Sequence, residues 1–138
     1  PAPARQLDAA WTSVVADLGR APLAGLPIVV GGRSAGARVA CRTAAETGAI
    51  GVLCLAFPLQ PPRRSGSQPA PDRLPELEAV TVPVLVVQGD RDPFGMPAKG
   101  RGRRVVVVPG NHSLSADIEA VGTAVRGWLS ELSLSAAR

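Results

Sequence analysis

Ser34 stands at the centre of Gly32-Arg33-Ser34-Ala35-Gly36, between the apolar run Pro27-Ile28-Val29-Val30 and a stretch of small residues from Ala35 to Thr47. A serine hydroxyl is a poor nucleophile until a base takes its proton. A G-x-S-x-G turn from strand to helix lifts the serine Oγ clear of the sheet, where a base can reach it. Gly32 and Gly36 suit so tight a turn, because a bulky side chain there would collide with the adjacent strand or helix. The start of the following helix favours developing negative charge, and the Ala35 N–H is placed to serve as one oxyanion donor. The pentapeptide is weak on its own. The plainer reading is a glycine turn with Ser34 as helix cap. Two phosphate-loop readings fail. Gly31 and Gly36 have the first spacing of a Walker loop, but Ala37-Arg38 follows in place of the required Lys and Ser/Thr, and no G-x-G-x-x-G occurs.

The partners decide between these readings. The apolar run Val84 to Gln88 is followed by Gly89-Asp90-Arg91-Asp92-Pro93, and Arg104 to Val108 by Pro109-Gly110-Asn111-His112-Ser113. His112 is the only histidine. A lone histidine is more often structural than catalytic, but this one directly follows the last strand. Serine, acid and histidine thus arrive in that order, each behind its own strand, as a triad requires. For the acid, Asp92 is favoured over Asp90. Asp92 lies further past the strand, with Pro93 stiffening the turn behind it, whereas Asp90 suits a turn cap or a pair with Arg91. An Asx-turn is the plain alternative for both.

The elements that must position these groups follow from periodicity. Leu7, Trp11, Val14, Val15 and Leu18 predict a helix over 5–19. Residues 27–30, 50–56, 82–88 and 104–108 read as short buried strands, with Gly31 and Gly32 ending the first. Ala35–Thr47 reads as a helix with Gly48 as its C-cap signal, and 74–79 as a short helix. Residues 93–103 hold three Gly and two Pro, so any helix there is short. Ile118, Val121, Val125, Trp128, Leu129 and Leu132 share one face of a final helix, with Ser115 as N-cap and Asp117 in the first turn. Residues 57–73, rich in Pro, Ser, Gly and Arg, read as a flexible surface loop and a candidate lid. Strands alternating with helices predict an α/β fold, a mostly parallel sheet with helices on both faces, forming one domain over 1–138.

Three segments together, Gly32 to Arg38, Gln88 to Gly95 and His112-Ser113-Leu114, resemble the small α/β-hydrolases related to dienelactone hydrolases. The resemblance runs from about residue 6 to residue 130. It implies Ser34 as nucleophile, Asp92 as acid and His112 as base, and hence hydrolysis of an ester or related acyl substrate through an acyl-enzyme. The same group is similar to a subunit of an animal histone-acetyltransferase complex, which keeps a non-catalytic scaffold role open as the alternative. In that group the serine turn is called the nucleophile elbow, and further strands precede the elbow strand, whereas here only one helix precedes Ile28. Those strands normally carry the second oxyanion donor. The expectation is therefore a C-terminal portion of the fold lacking its N-terminal strands. The exposed edge of the elbow strand would then be covered by a missing N-terminal segment or a homodimer partner.

Composition narrows the remaining classes. The 138 residues are 46% hydrophobic and 19% charged, a globular balance. No apolar run reaches the length of a membrane span, and Pro1-Ala2-Pro3-Ala4-Arg5 lacks a signal-peptide core. The expectation is a cytoplasmic protein acting on a small-molecule acyl substrate, with no membrane partner. The net charge is +4, carried by fourteen Arg and the single Lys99, but there is no Tyr and only two Phe and two Trp. Nucleic-acid binding wants a basic stripe interleaved with aromatics, so none is expected. Cys41 and Cys54 lie in apolar surroundings and read as small core residues. Two Cys and one His do not complete a four-ligand zinc site without carboxylates, so neither metal, cofactor nor disulfide is expected.

Overall fold

The computed structural model describes residues 3–138; Pro1 and Ala2, at the head of the expected domain, lie outside the described residues. The chain runs α1 (Ala4–Arg20), β1 (Val29–Arg33), α2 (Ala35–Thr47), β2 (Gly51–Leu55), α3 (Leu74–Glu78), β3 (Val84–Gly89), β4 (Arg103–Val108) and α4 (Ile118–Ala136). The four strands form one sheet in the order β1-β2-β3-β4, with every pair parallel. This is the expected α/β architecture.

The buried residues of β3 show why its sequence is continuously apolar. Val84 and Val86 enter the core beneath α1, α2 and α3, while Leu85 and Val87 enter the core beneath α4. A strand covered on both faces has no polar side to alternate with. Ala37, Ala40, Cys41 and Ala44 line the buried face of α2, and their small side chains let the helix lie close to the sheet. On the other face, a Cβ at Gly51 would come 2.7 Å from Leu132 Cδ2 and 3.1 Å from Trp128 Cη2. The glycine gives α4 room to settle on β2.

A partly buried ion cluster ties the helices of the first face together. Arg42 donates to both carboxylate oxygens of Asp8 at 2.9 and 2.7 Å, and Arg38 to both of Glu76 at 2.9 and 2.6 Å. Arg42 also reaches Glu76 at 3.4 Å. The hydrogen bond to Asp8 raises the Arg42 pKa against the opposing effect of burial. Burial, and then the nearby charge of Arg38, lowers that of Arg73.

Three expectations need correction. β1 does not end at Val30 but continues through Gly31 and Gly32 to Arg33. These glycines serve close approach within the strand: a Cβ at Gly31 would lie 2.6 Å from the Leu53 carbonyl oxygen. The segment 57–73 is not surface loop throughout, because Phe57 is fully buried in the core with Val52 and Leu77. The N-cap of α4 is Asp117, whose Oδ1 accepts from Ala120 N at 2.9 Å. Ser115 instead shares a hydrogen bond with Ser113. The connection from β3 to β4 holds no helix, in keeping with the glycines and prolines of 93–103; loop backbone alone makes that crossover.

Candidate active site

Ser34 lies between β1 and α2 with φ 52° and ψ −116°, a backbone conformation that L residues adopt only under constraint. The constraint is visible next to it. A Cβ at Gly32 would lie 2.3 Å from the carbonyl carbon of Gly36 and 2.8 Å from Ala37 N. Only glycine lets the strand pass this close to the helix start. The same steric reasoning does not hold for Gly36, where an added Cβ meets open space. The backbone of the turn is secured by Ser34 N donating to the Leu55 carbonyl at 3.0 Å. The Ser34 side chain makes no helix-capping hydrogen bond. Ala35 and Gly36 open α2, where N–H groups have no acceptor within the helix.

The Ser34 Oγ faces His112 instead. His112 Nε2 lies 2.8 Å from it, and His112 Nδ1 lies 2.8 Å from Asp92 Oδ2. The Asp92 side chain is 1% exposed and that of His112 20%. An ionised carboxylate only accepts, so Nδ1 carries the ring proton and Nε2 is left as an acceptor for the serine hydroxyl. Phe94 flanks the imidazole, with ring centroids 4.3 Å apart and planes tilted by 33°.

The loops behind β3 and β4 hold the acid and the histidine. Asp92 Oδ1 accepts from Phe94 N at 2.8 Å, an Asx-turn that coexists with the bond to His112. Asp90 takes the other role foreseen for it: its Oδ1 accepts from Gly110 N at 2.8 Å and lies 3.7 Å from Arg91 Nε. Asp90 therefore fastens the histidine loop without touching the ring. The two strand ends approach closely at Gly89, where a Cβ would come 2.4 Å from the Gly110 carbonyl oxygen. Asn111 Oδ1 accepts from Ser113 N at 2.9 Å, and Leu114, with φ 55°, inserts into the core under α4.

Ser34, Asp92 and His112 are thus brought together, with Ala35 beside them in sequence at the helix start. Sequence reasoning missed two contributors. Gly89 has no role assigned from sequence beyond following the apolar run. Gln88 was read only as a strand end, yet it is fully buried and its Nε2 donates to Asp92 Oδ2 at 2.9 Å. The available signal was a polar residue closing the run Val84-Leu85-Val86-Val87.

The cysteines Cys41 and Cys54 lie apart from this site, on α2 and β2, with their sulfurs 3.5 Å apart. Their mutual hydrogen bond, and then burial, raises the Cys54 thiol well above its ordinary range. Among the described residues, no group of three or more His, Cys, Asp or Glu side chains is arranged to hold a metal ion. No described helix is long and apolar enough to cross a membrane.

Comparison with known proteins gives a consistent assignment. No curated protein matches the chain. Among solved structures, it is similar to a protein from Xanthomonas campestris pv. campestris assigned to the alpha/beta superfamily of hydrolases. The two share 17% identity at a TM-score of 0.64, covering 93% of this chain and 69% of the other. At that identity the likeness speaks to the fold. The family model for the alpha/beta hydrolase domain matches residues 1–120. With a parallel α/β sheet and a match across most of its length, the chain belongs to the alpha/beta hydrolase domain family.

Proposed function

We propose that this chain is a serine hydrolase acting on an ester or related acyl substrate, with Ser34 as nucleophile, His112 as general base and Asp92 as its orienting acid. The observation that carries the reading is the relay from Ser34 Oγ through His112 to Asp92, with 2.8 Å at each step. As Oγ attacks the substrate carbonyl carbon, His112 Nε2 takes its proton. Asp92 holds the resulting imidazolium. The carbonyl oxygen gains negative charge at the start of α2, where the Ala35 N–H supports it. Collapse of this intermediate passes the proton from His112 to the leaving alcohol and leaves the acyl group on Ser34. Water then repeats the attack, giving its proton to His112, and the acid is released as Ser34 recovers its hydrogen.

The resemblance to dienelactone-hydrolase-like proteins supports a small acyl substrate. The loop over 57–73 lies beside the site, since Gln60 N donates to the Phe94 carbonyl at 2.9 Å and Phe94 flanks His112. We assign this loop the role of bordering the acyl pocket. The test is labelling by a fluorophosphonate and hydrolysis of a short p-nitrophenyl ester. Ser34→Ala is expected to abolish both while leaving the circular dichroism spectrum unchanged. Wild-type turnover in that variant would sink the proposal. A wild-type chain that is folded yet takes no label would favour the scaffold alternative.

A further inference from the structure

We infer that Gln88 is a positioning residue that holds Asp92 in register with His112 and thereby sets which ring nitrogen carries the proton. The inference rests on reading Ser34, His112 and Asp92 as a triad, and goes beyond it by naming the group that fixes the acid.

Gln88 is the one polar side chain of β3, and it is fully buried. Its Nε2 lies 2.9 Å from Asp92 Oδ2, 2.9 Å from the Gly95 carbonyl and 3.0 Å from the Phe57 carbonyl. Two amide hydrogens therefore serve three acceptors. The opposite amide orientation would turn Oε1 towards three oxygens, so the nitrogen end must face them. Oε1 is left buried and without a partner. A buried polar atom left unsatisfied costs stability, and here the cost accompanies a contact to a carboxylate that itself contacts His112.

The three acceptors belong to different segments. Phe57 follows β2, Asp92 carries the carboxylate, and Gly95, with φ 94°, closes the turn after it. One amide thus ties the loop behind β2 to the loop bearing the acid. The Asp92 carboxylate needs donors because it is almost wholly removed from water. Oδ1 receives Phe94 N, and Oδ2 receives both Gln88 and His112. Without Gln88, Oδ2 keeps the ring alone. The carboxylate then loses the donor that fixes Oδ2 from the β3 side and is held only by Phe94 N and the ring itself, so its preference for the Nδ1–H form of His112 weakens. That form is the one that leaves Nε2 open to Ser34.

Because His112 is the only histidine, its ring nitrogens can be read by ¹⁵N NMR of the full chain without assignment, at a pH where the ring is neutral. The wild type is expected to show the Nδ1–H tautomer. Gln88→Met, close in shape but without a donor, should shift the tautomer ratio about tenfold towards Nε2–H and slow fluorophosphonate labelling about tenfold, the effect of one hydrogen bond. A folded Gln88→Met protein with an unchanged tautomer ratio overturns the inference. Should that variant not fold, the wild type decides. A scalar coupling across the bond from Gln88 Nε2 to Asp92 Cγ is expected, and a side-chain amide exchanging as fast as that of exposed Gln6 would refute it. The tautomer needs no turnover to be read. A shifted ratio in a chain with an unreactive Ser34 would defeat the proposed hydrolysis but not the role of Gln88. Ser34-dependent labelling with an unmoved ratio would do the reverse.

Discussion

His112 Nε2 stands 2.8 Å from Ser34 Oγ although 78 residues separate the two in sequence. The contact exists because β1 and β4 both end on the same side of a parallel sheet, so that the turn after one and the loop after the other face each other. Asp92 reaches the far side of the ring from the loop after β3, between them in the sequence.

Asp92 and Asp90 should therefore respond differently to the same change. Asp92→Asn has one oxygen where the carboxylate had two; with that oxygen kept on Phe94 N, its NH2 faces His112 Nδ1 and favours the wrong tautomer, and the labelling or hydrolysis rate should fall roughly 10³–10⁴-fold. Asp90→Asn keeps an oxygen for Gly110 N and should stay within a few-fold of wild type. Equal losses in the two variants would remove Asp92 from its assigned role. Steady-state rates on a p-nitrophenyl ester provide the comparison.

Gly32 and Gly36 should also separate. Gly32→Ala forces a methyl to within 2.3 Å of the Gly36 carbonyl carbon, and should destabilise the fold by about 2–4 kcal/mol through backbone displacement. Gly36→Ala meets open space inside a helix and should leave stability unchanged or raise it by up to about 1 kcal/mol. Urea denaturation followed by circular dichroism measures both.

The elbow shows how much could be read from sequence and where that reading stopped. The order of Ser34, Asp92 and His112 behind three apolar runs was legible because strand ends of a parallel sheet are marked by glycine and by loss of the apolar pattern. The fold class was legible for the same reason. Less legible were features set by distances between segments remote in the chain. Gly31 looked like a strand terminator, yet its missing side chain accommodates the Leu53 carbonyl on β2. Phe57 opened a polar, proline-rich stretch and still became core. The α4 cap passed from Ser115 to Asp117 because Ser115 is engaged with Ser113, a local choice that periodicity does not encode. Gln88 carried too little pattern to reveal that its amide would meet a carboxylate four residues ahead.

The two kinds of ion pair offer a further contrast. Glu76 accepts from Arg38 and Arg42 on a half-enclosed face, near Arg73 as a third cation. Glu76→Ala leaves these charges facing one another and should cost about 1–3 kcal/mol. The Arg104–Glu131 pair spans β4 and α4 at 2.6 Å, but both side chains are well exposed. Glu131→Ala should produce no measurable change in melting temperature. Thermal unfolding at fixed ionic strength distinguishes the two.

Cys54 sets a limit on alkaline stability. Its thiol keeps its proton well above the ordinary 9.0 in the folded chain, through the hydrogen bond to Cys41 and then burial. The unfolded chain therefore releases this proton first as the pH rises. The stabilising contribution is fully present below pH 9 and is lost progressively above it. Cys54→Ala should flatten the fall in unfolding free energy above pH 9, relative to the wild type under reducing conditions. An identical slope in the two proteins would show that the buried thiol has no part in it.

The sheet order β1-β2-β3-β4 has a consequence for biosynthesis. Each strand pairs with the one made just before it, so the sheet can be laid down in the direction in which the ribosome delivers the chain. Ser34 arrives early with its strained turn, Asp92 arrives behind the third strand, and His112 arrives only behind the fourth. On the proposed reading, a nascent chain that has not yet emerged past residue 112 would carry Ser34 without His112 to activate it. Reactivity would thereby be deferred until the sheet is complete, and translation products that stop short of it would be chemically silent.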